Sequence, residues 1–428
     1  MTAIAAGSRR GKVVEGEMVK FNRLSVLLVA GSMIAAAAPC ASASIHHHHY
    51  RHHRSITHYA FVMPRHAALL EDADTGRVLY AENPTLAWPP ASMAKMMLLL
   101  VAEDQIHAGR FSYDTPVRIS LRSASTGGSR LGLREGQVYP LGELMKAALI
   151  RSANDAAVAV AETVGGSYDG CVRMMNAKAA SLGMTQTHYK TIDGLPPTPG
   201  HDVDITDALD LATLARALIH TTNLLAWSGM ETALFDGGVA ILHNTNHLIG
   251  HLEGCDGLKT GFTTEAGFNL TATAKRGDMR LISVVLGTPS NSARFSQSAT
   301  LLNWGFQNFT KVELLKRGQP LPVRVQVEHG PVIQPISQSA IELVLRKDQV
   351  SGLKVAYSVP PVISGPVAPG TSLGQVTVTD GGETIARSDA ISPLPAVLPP
   401  VTINSAAADP APHVYNYSVA DPPLQETR

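Results

Sequence analysis

Short apolar runs at residues 67–71 and 77–80 flank Asp74-Thr75-Gly76, an order that predicts a β-hairpin. Pro89-Pro90 stops any earlier element, and residues 91–106 then continue without Gly or Pro, rich in Met, Leu and Ala. A segment apolar nearly all round predicts a buried helix. Residues 143–164 predict another helix, broken near Arg151-Ser152, and residues 172–182 and 206–220 predict two more. Residues 268–274 and 279–286 place apolar and β-branched side chains on either side of the charged turn Lys275-Arg276-Gly277-Asp278, a second hairpin. Strands at both ends of a helical middle imply an α+β domain whose first and last strands share one sheet.

From residue 311 the helical period disappears. Val323, Val325 and Val327 alternate with Arg324, Gln326 and Glu328, and residues 341–345, 354–359 and 375–379 recur between Gly and Pro turns. The division expected is a catalytic domain over 61–310, a small all-β domain over 311–392 and a loose Pro/Ala-rich tail over 393–428. At the other end, Arg9, Arg10, Lys12, Lys20 and Arg23 precede an apolar run over 24–38 and the small residues Ala41-Ser42-Ala43. These are the three parts of a secretory signal over residues 1–43, with Met1 and Met18 both open as the start. A His-rich stretch over 44–60, with His46 to His49, His52, His53 and His58, reads as a solvated linker.

Composition narrows the function by exclusion. At 45% hydrophobic and 16% charged, the 428 residues carry enough apolar material to fold, and their number favours two domains plus extensions. With 35 basic and 35 acidic residues there is no electrostatic footprint for nucleic acid. Cys40, Cys171 and Cys255 are too few for a disulfide scaffold or a zinc site.

The chemistry lies in three short motifs. Ser92-Met93-Ala94-Lys95 sets a hydroxyl and an amine three residues apart on one helical face, and a desolvated lysine can act as a neutral base for a serine nucleophile. Alone the pattern is weak, since Ser351-Gly352-Leu353-Lys354 also fits it. Ser152-Ala153-Asn154 opens a helical turn and offers a hydroxyl and an amide. Lys259-Thr260-Gly261 precedes the last hairpin on an expected edge strand, where a cation and a hydroxyl suit a substrate carboxylate and glycine leaves room for the substrate backbone. Together and in this order they form the set found in penicillin-binding proteins and class A β-lactamases.

On these motifs the sequence resembles the D-alanyl-D-alanine carboxypeptidases, the low-molecular-mass penicillin-binding proteins of serine peptidase family S11. The resemblance covers about residues 65–310 and extends to Asp74-Thr75-Gly76, Gly127-Gly128-Ser129, the run Asp155-Ala156-Ala157, Met175-Asn176, Asp193-Gly194-Leu195 and Asn269-Leu270. It implies the α+β penicillin-binding/β-lactamase-like transpeptidase fold, an antiparallel sheet with a helical subdomain, followed by the small all-β domain. It further implies that Ser92 attacks the bond between the last two D-alanines of a peptidoglycan stem peptide with Lys95 as general base. Ser152 relays the proton to the leaving amine, and Asn154 holds Lys95 or the substrate amide. The backbone N–H groups of Ser92 and Phe262 form the oxyanion hole. Lys259 and Thr260, with Gly261 and Thr263, bind the terminal carboxylate. Neither metal nor cofactor is required, and β-lactam antibiotics are expected as covalent inhibitors acting on the same serine.

The sequence departs from its relatives in two places. Asn244-Thr245-Asn246-His247 offers no arginine where many relatives place one before the Lys-Thr-Gly strand, and residues 401–428 carry four prolines rather than a basic amphipathic helix, which leaves membrane association open. Cys255 stands close to Lys259 and reads as a buried inert thiol, with a Cys171 to Cys255 disulfide left open. A class A β-lactamase is disfavoured by the lack of a Glu-x-x-Leu-Asn stretch between Ser152 and Lys259. The alternatives that stay open are a DD-endopeptidase cutting D-alanyl cross-links and a non-catalytic peptidoglycan-binding scaffold. Secretion into the periplasm or cell envelope agrees with all three.

Overall fold

The computed structural model describes residues 66–196 and 203–393 and the strand His413–Ser418. The expected signal and His-rich linker lie outside the described residues. The first hairpin consists of β1 (Ala67–Asp72) and β2 (Val78–Glu82). Late in the chain come β3 (Cys255–Thr263), β4 (Gly267–Arg276) and β5 (Met279–Thr288). All five form one antiparallel sheet in the order β2-β1-β5-β4-β3, so the first and last strands are neighbours, with Leu69 opposite Val284. The edge position expected for Lys259-Thr260-Gly261 is thereby found, because β3 closes the sheet on that side.

Why β1 reads as an apolar run rather than an alternation follows from its two neighbours. Ala67 and Leu69 enter one core with the helices, while Ala68 and Leu70 enter a second core on the opposite face. Side chains of a strand alternate between faces, so a sheet covered on both needs apolar residues at every position. The first face is covered by α1 (Ala94–His107), whose residues 94–103 are all buried. Around it stand α2 (Leu141–Ile150), α3 (Asn154–Val164), α4 (Tyr168–Ser181) and α5 (Ala208–Thr221). The second face is covered by α6 (Asn291–Asn308), which buries Phe295, Leu301 and Leu302 against Leu70, Leu281 and Val285. Hydrophobic periodicity does not single out this helix, since its burying residues are spaced among Ser, Asn and Gln.

The chain leaves α6 at Asn308 and begins β6 (Phe309–Leu315) at the next residue. Strand β6 pairs with Ile341–Arg346, and Lys311 Nζ lies 3.0 Å from Asp74 Oδ2 of the first hairpin and 2.9 Å from Glu342 Oε2. The guanidinium of Arg77 donates to the Val344 carbonyl beside them. The remaining β region has its own core of Val325, Val327, Leu353, Val376 and Val378. Its largest sheet orders Ile336–Ser337, Glu383–Ile391, Ser372–Asp380, β7 (Leu353–Val359) and β8 (His413–Ser418). Strand β8 departs from the expectation of a loose tail over 393–428 at residues 413–418: the stretch His-Val-Tyr-Asn-Tyr-Ser is free of Pro and contains Val and two Tyr, and it pairs with residues 354–359 of β7. Among the described residues no helix is long and apolar enough to cross a membrane.

Candidate active site

Ser92 sits in a single 3-10 turn, Ala91–Met93, that leads directly into α1. Ala91 holds a left-handed φ of 49° there, a conformation disfavoured for a residue with a Cβ and retained only where the surroundings fix it. Lys95 is fully buried, its Nζ 2.9 Å from Ser92 Oγ and donating to the Asp193 main-chain carbonyl at 3.0 Å. Burial lowers its pKa to about 8, against the opposing pull of the Asp193 and Asp204 carboxylates. A hydroxyl within hydrogen-bond reach of an amine whose pKa is lowered to about 8 can be activated for nucleophilic attack by that amine.

The expected break near Arg151-Ser152 separates α2 from α3, and Ser152 turns the chain with φ of 63°. It is buried to 6% exposure between the two helices. Asn154, the first residue of α3, donates from Nδ2 to the Gly127 carbonyl at 2.8 Å, while its Oδ1 is buried without a partner. Lys95 is not among its partners; the two bonds of that amine go to Ser92 and Asp193. The next residue, Asp155, accepts the backbone N–H groups of Leu131, Gly132 and Leu133 at 2.8–3.1 Å. Its carboxylate thereby fixes the loop that begins at Gly127-Gly128-Ser129.

On β3, Lys259 is buried and donates to the Thr260 carbonyl at 3.0 Å. Burial holds its pKa well below the usual lysine value, and the nearby cations Lys95 and Arg294 lower it further. Thr260 Oγ1 donates to Thr245 Oγ1 at 2.8 Å, so the segment that lacks the relatives' arginine still meets the Lys-Thr-Gly strand through a hydroxyl. Gly261 is also held close to another segment of the chain. A Cβ there would stand 2.4 Å from the Pro90 carbonyl oxygen and 3.3 Å from Ala91 Cβ, so its bareness admits the turn that carries Ser92. Phe262 is half-exposed and stacks on Phe268 with ring centroids 4.3 Å apart. Thr263 Oγ1 accepts the Ala266 N–H at 3.1 Å and shapes the turn into β4.

Two side chains of the site, Arg294 and Asp204, lie outside the sequence motifs. Arg294 on α6 reaches behind the edge strand, donating to the carbonyls of Gly261 at 3.0 Å and Asn269 at 3.3 Å. The arginine absent from the segment before β3 thus has a counterpart placed after it in the chain. Asp193 and Asp204 flank the Lys95 amine from loops whose acidic residues resemble ordinary turn formers. Cys171 and Cys255 are both free, Cys171 within the helical core, which closes the question of a disulfide between them; burial raises their pKa values to about 12 and about 11.

A sequence profile of the family described as D-alanyl-D-alanine carboxypeptidase, peptidase S11, matches residues 58–290. The D-alanyl-D-alanine carboxypeptidase DacF of Bacillus subtilis (strain 168) is 34% identical over 328 residues, 75% of this chain and 83% of its own length. DacD of Escherichia coli (strain K12) is 31% identical over 327 residues, 74% of this chain and 83% of its own. Among solved structures, penicillin-binding protein 5 from Haemophilus influenzae superposes with a TM-score of 0.68 at 27% identity, covering 78% of this chain and 98% of that one. Penicillin-binding protein D2 from Listeria monocytogenes, solved with ampicillin bound, gives 0.53 at 30% identity over 57% of this chain and 99% of its own.

Proposed function

The chain belongs to the D-alanyl-D-alanine carboxypeptidase family of serine peptidases, and from that premise we infer how its residues divide the reaction. Ser92 Oγ attacks the carbonyl of the penultimate D-alanine of a peptidoglycan stem pentapeptide, and Lys95, as the neutral amine, takes the hydroxyl proton. The oxyanion that forms accepts from the backbone N–H groups of Ser92 and Phe262, where one lost donor costs about 2.7–4 kcal/mol. Collapse breaks the peptide bond, Ser152 passes the proton to the departing D-alanine nitrogen, and the acyl-enzyme on Ser92 is hydrolysed by water. Lys259 and Thr260 grip the terminal carboxylate, with Gly261 and Thr263 completing that end of the strand and Asn154 facing the substrate amide. The observation that carries this reading is the 2.9 Å approach of the buried Lys95 amine to Ser92 Oγ.

A β-lactam presents a strained amide in the same place and acylates the same serine, a reading supported by the ampicillin-bound Listeria relative. The basic and apolar pattern of residues 1–43 supports export, so that the reaction runs in the periplasm or cell envelope. The test follows free D-alanine from a pentapeptide ending in D-alanyl-D-alanine, with Ser92→Ala as control. Release that vanishes in the control is expected. Absence of release by the wild-type chain, together with turnover of cross-linked dimers, would overturn the carboxypeptidase reading in favour of an endopeptidase.

A further inference from the structure

The Lys95 amine has two partners, and one of them, the Asp193 carbonyl, belongs to the Asp193-Gly194-Leu195 turn, to which no role has yet been given. That turn is organised from beneath by one buried carboxylate. Asp204, 2% exposed, accepts the N–H of Lys190 at 2.7 Å, the N–H of Thr191 at 2.8 Å and the Thr191 hydroxyl at 2.8 Å. The Thr191 oxygen in turn accepts the Gly194 N–H at 2.9 Å, closing residues 191–194 into a fixed loop around Asp193. Gly194 has φ of 77°, and a Cβ on it would stand 1.9 Å from the Ala91 carbonyl oxygen. The loop therefore rests directly on the strained residue before Ser92 and holds the Lys95 amine.

We propose that Asp204 is a positioning residue for this pair: it clamps the 190–195 turn so that the Asp193 carbonyl holds the Lys95 amine against Ser92, while its own negative charge faces that amine. The proposal rests on the reading of Lys95 as the base. The charged groups that bear on the amine are Asp193 and Asp204 from this side and Lys259, beside Arg294, from β3. Asp204 titrates near pH 6, pushed up by burial, so it is an anion at pH 8 where Lys95 titrates. An anion favours the protonated amine, and its removal therefore moves the Lys95 midpoint to lower pH.

The test measures acylation by benzylpenicillin across pH for the full chain, for Asp204→Asn, for Asp204→Glu and for Thr191→Val, with thermal melting to confirm folding. Asp204→Asn is expected to lower the plateau rate by about tenfold or more, as a misplaced base does, and to shift the acid limb downward. Asp204→Glu restores the limb to its wild-type position. Thr191→Val keeps the charge but opens the clamp, so its plateau falls while its limb stays in place. A plateau and limb unchanged in Asp204→Asn overturn the proposal, as does a fallen plateau with an unmoved limb, the mark of a merely structural clip. If Asp204→Asn does not fold, a wild-type plateau in Thr191→Val overturns it instead. Direct NMR titration of the Lys95 amine separates this failure from failure of the base assignment: Asp204→Asn lowers the amine's midpoint whether or not the wild-type rate has an acid limb, and an unmoved midpoint refutes the proposal alone.

Discussion

Gly261→Ala isolates the packing between the edge strand and the nucleophile's turn. The new Cβ would sit 2.4 Å from the Pro90 carbonyl oxygen, where real Cβ contacts essentially never fall below 3.0 Å, so strand and turn must separate by at least about 0.6 Å. The atom it meets is backbone, which cannot swing aside as a side chain would. Overpacking of this kind costs about 1–3 kcal/mol, too little to unfold the domain. Its effect on rate is larger, because Ser92 and the Phe262 N–H sit on opposite sides of the widened gap, and a displacement near 1 Å costs on the order of 10²-fold. The assay is the second-order rate of acylation by a fluorescent penicillin, read on a gel against time, beside a melting curve. A folded protein acylated about a hundredfold more slowly is the expected result. Acylation within threefold of wild type in a folded Gly261→Ala would refute the close-approach argument and return the glycine to the role of making room for substrate.

Glu71 is buried and its pKa stands at about 7, raised by burial with Arg216 opposing, against an ordinary value of 4.5. Because the folded value is the higher one, its contribution to stability is full below pH 4.5 and is lost as pH rises through 7. Glu71→Gln should thus match wild type in urea unfolding at pH 4 and exceed it by up to about 3 kcal/mol at pH 8; an equal difference at both pH values would refute this. Arg294→Lys keeps a cation on α6 but cannot span the Gly261 and Asn269 carbonyls. Loss of a charged hydrogen bond worth about 1.5–3 kcal/mol predicts acylation slowed by about tenfold or more, and wild-type rates would show that the bridge does not brace the strand.

The sequence made legible what depends on residue type and order. Ser92 with Lys95, Ser152 with Asn154, and Lys259-Thr260-Gly261 could be paired because a hydroxyl, an amine and a carboxylate grip leave few substitutes. The hairpins and the buried α1 were readable because Gly turns and an all-apolar helix are strong local signals. The contacts of Asp204, Arg294 and Gly261 were not. Each acts through a contact distant along the chain: a carboxylate gathering a turn, a guanidinium bracing two strands, and an absent side chain facing another segment's carbonyl. Strand β8 was obscured for a different reason, since the prolines around it dominate the composition of the stretch in which its six residues lie.

The burial of Lys259 beside Lys95 and Arg294 has a thermodynamic corollary. An amine held well below its ordinary pKa gives up its proton more readily than a free lysine, and so anchors a carboxylate less firmly than an unshifted cation would. An arriving carboxylate reverses that balance by supplying the missing counter-charge. Substrate capture and proton binding at this amine are then thermodynamically linked, so the apparent affinity for an anionic ligand does not fall with acidity on account of Lys259. Any proton taken up on binding would appear as a dependence of the binding enthalpy on the ionisation heat of the buffer, so that the cleft's positive charge and its ligand's negative one reinforce each other.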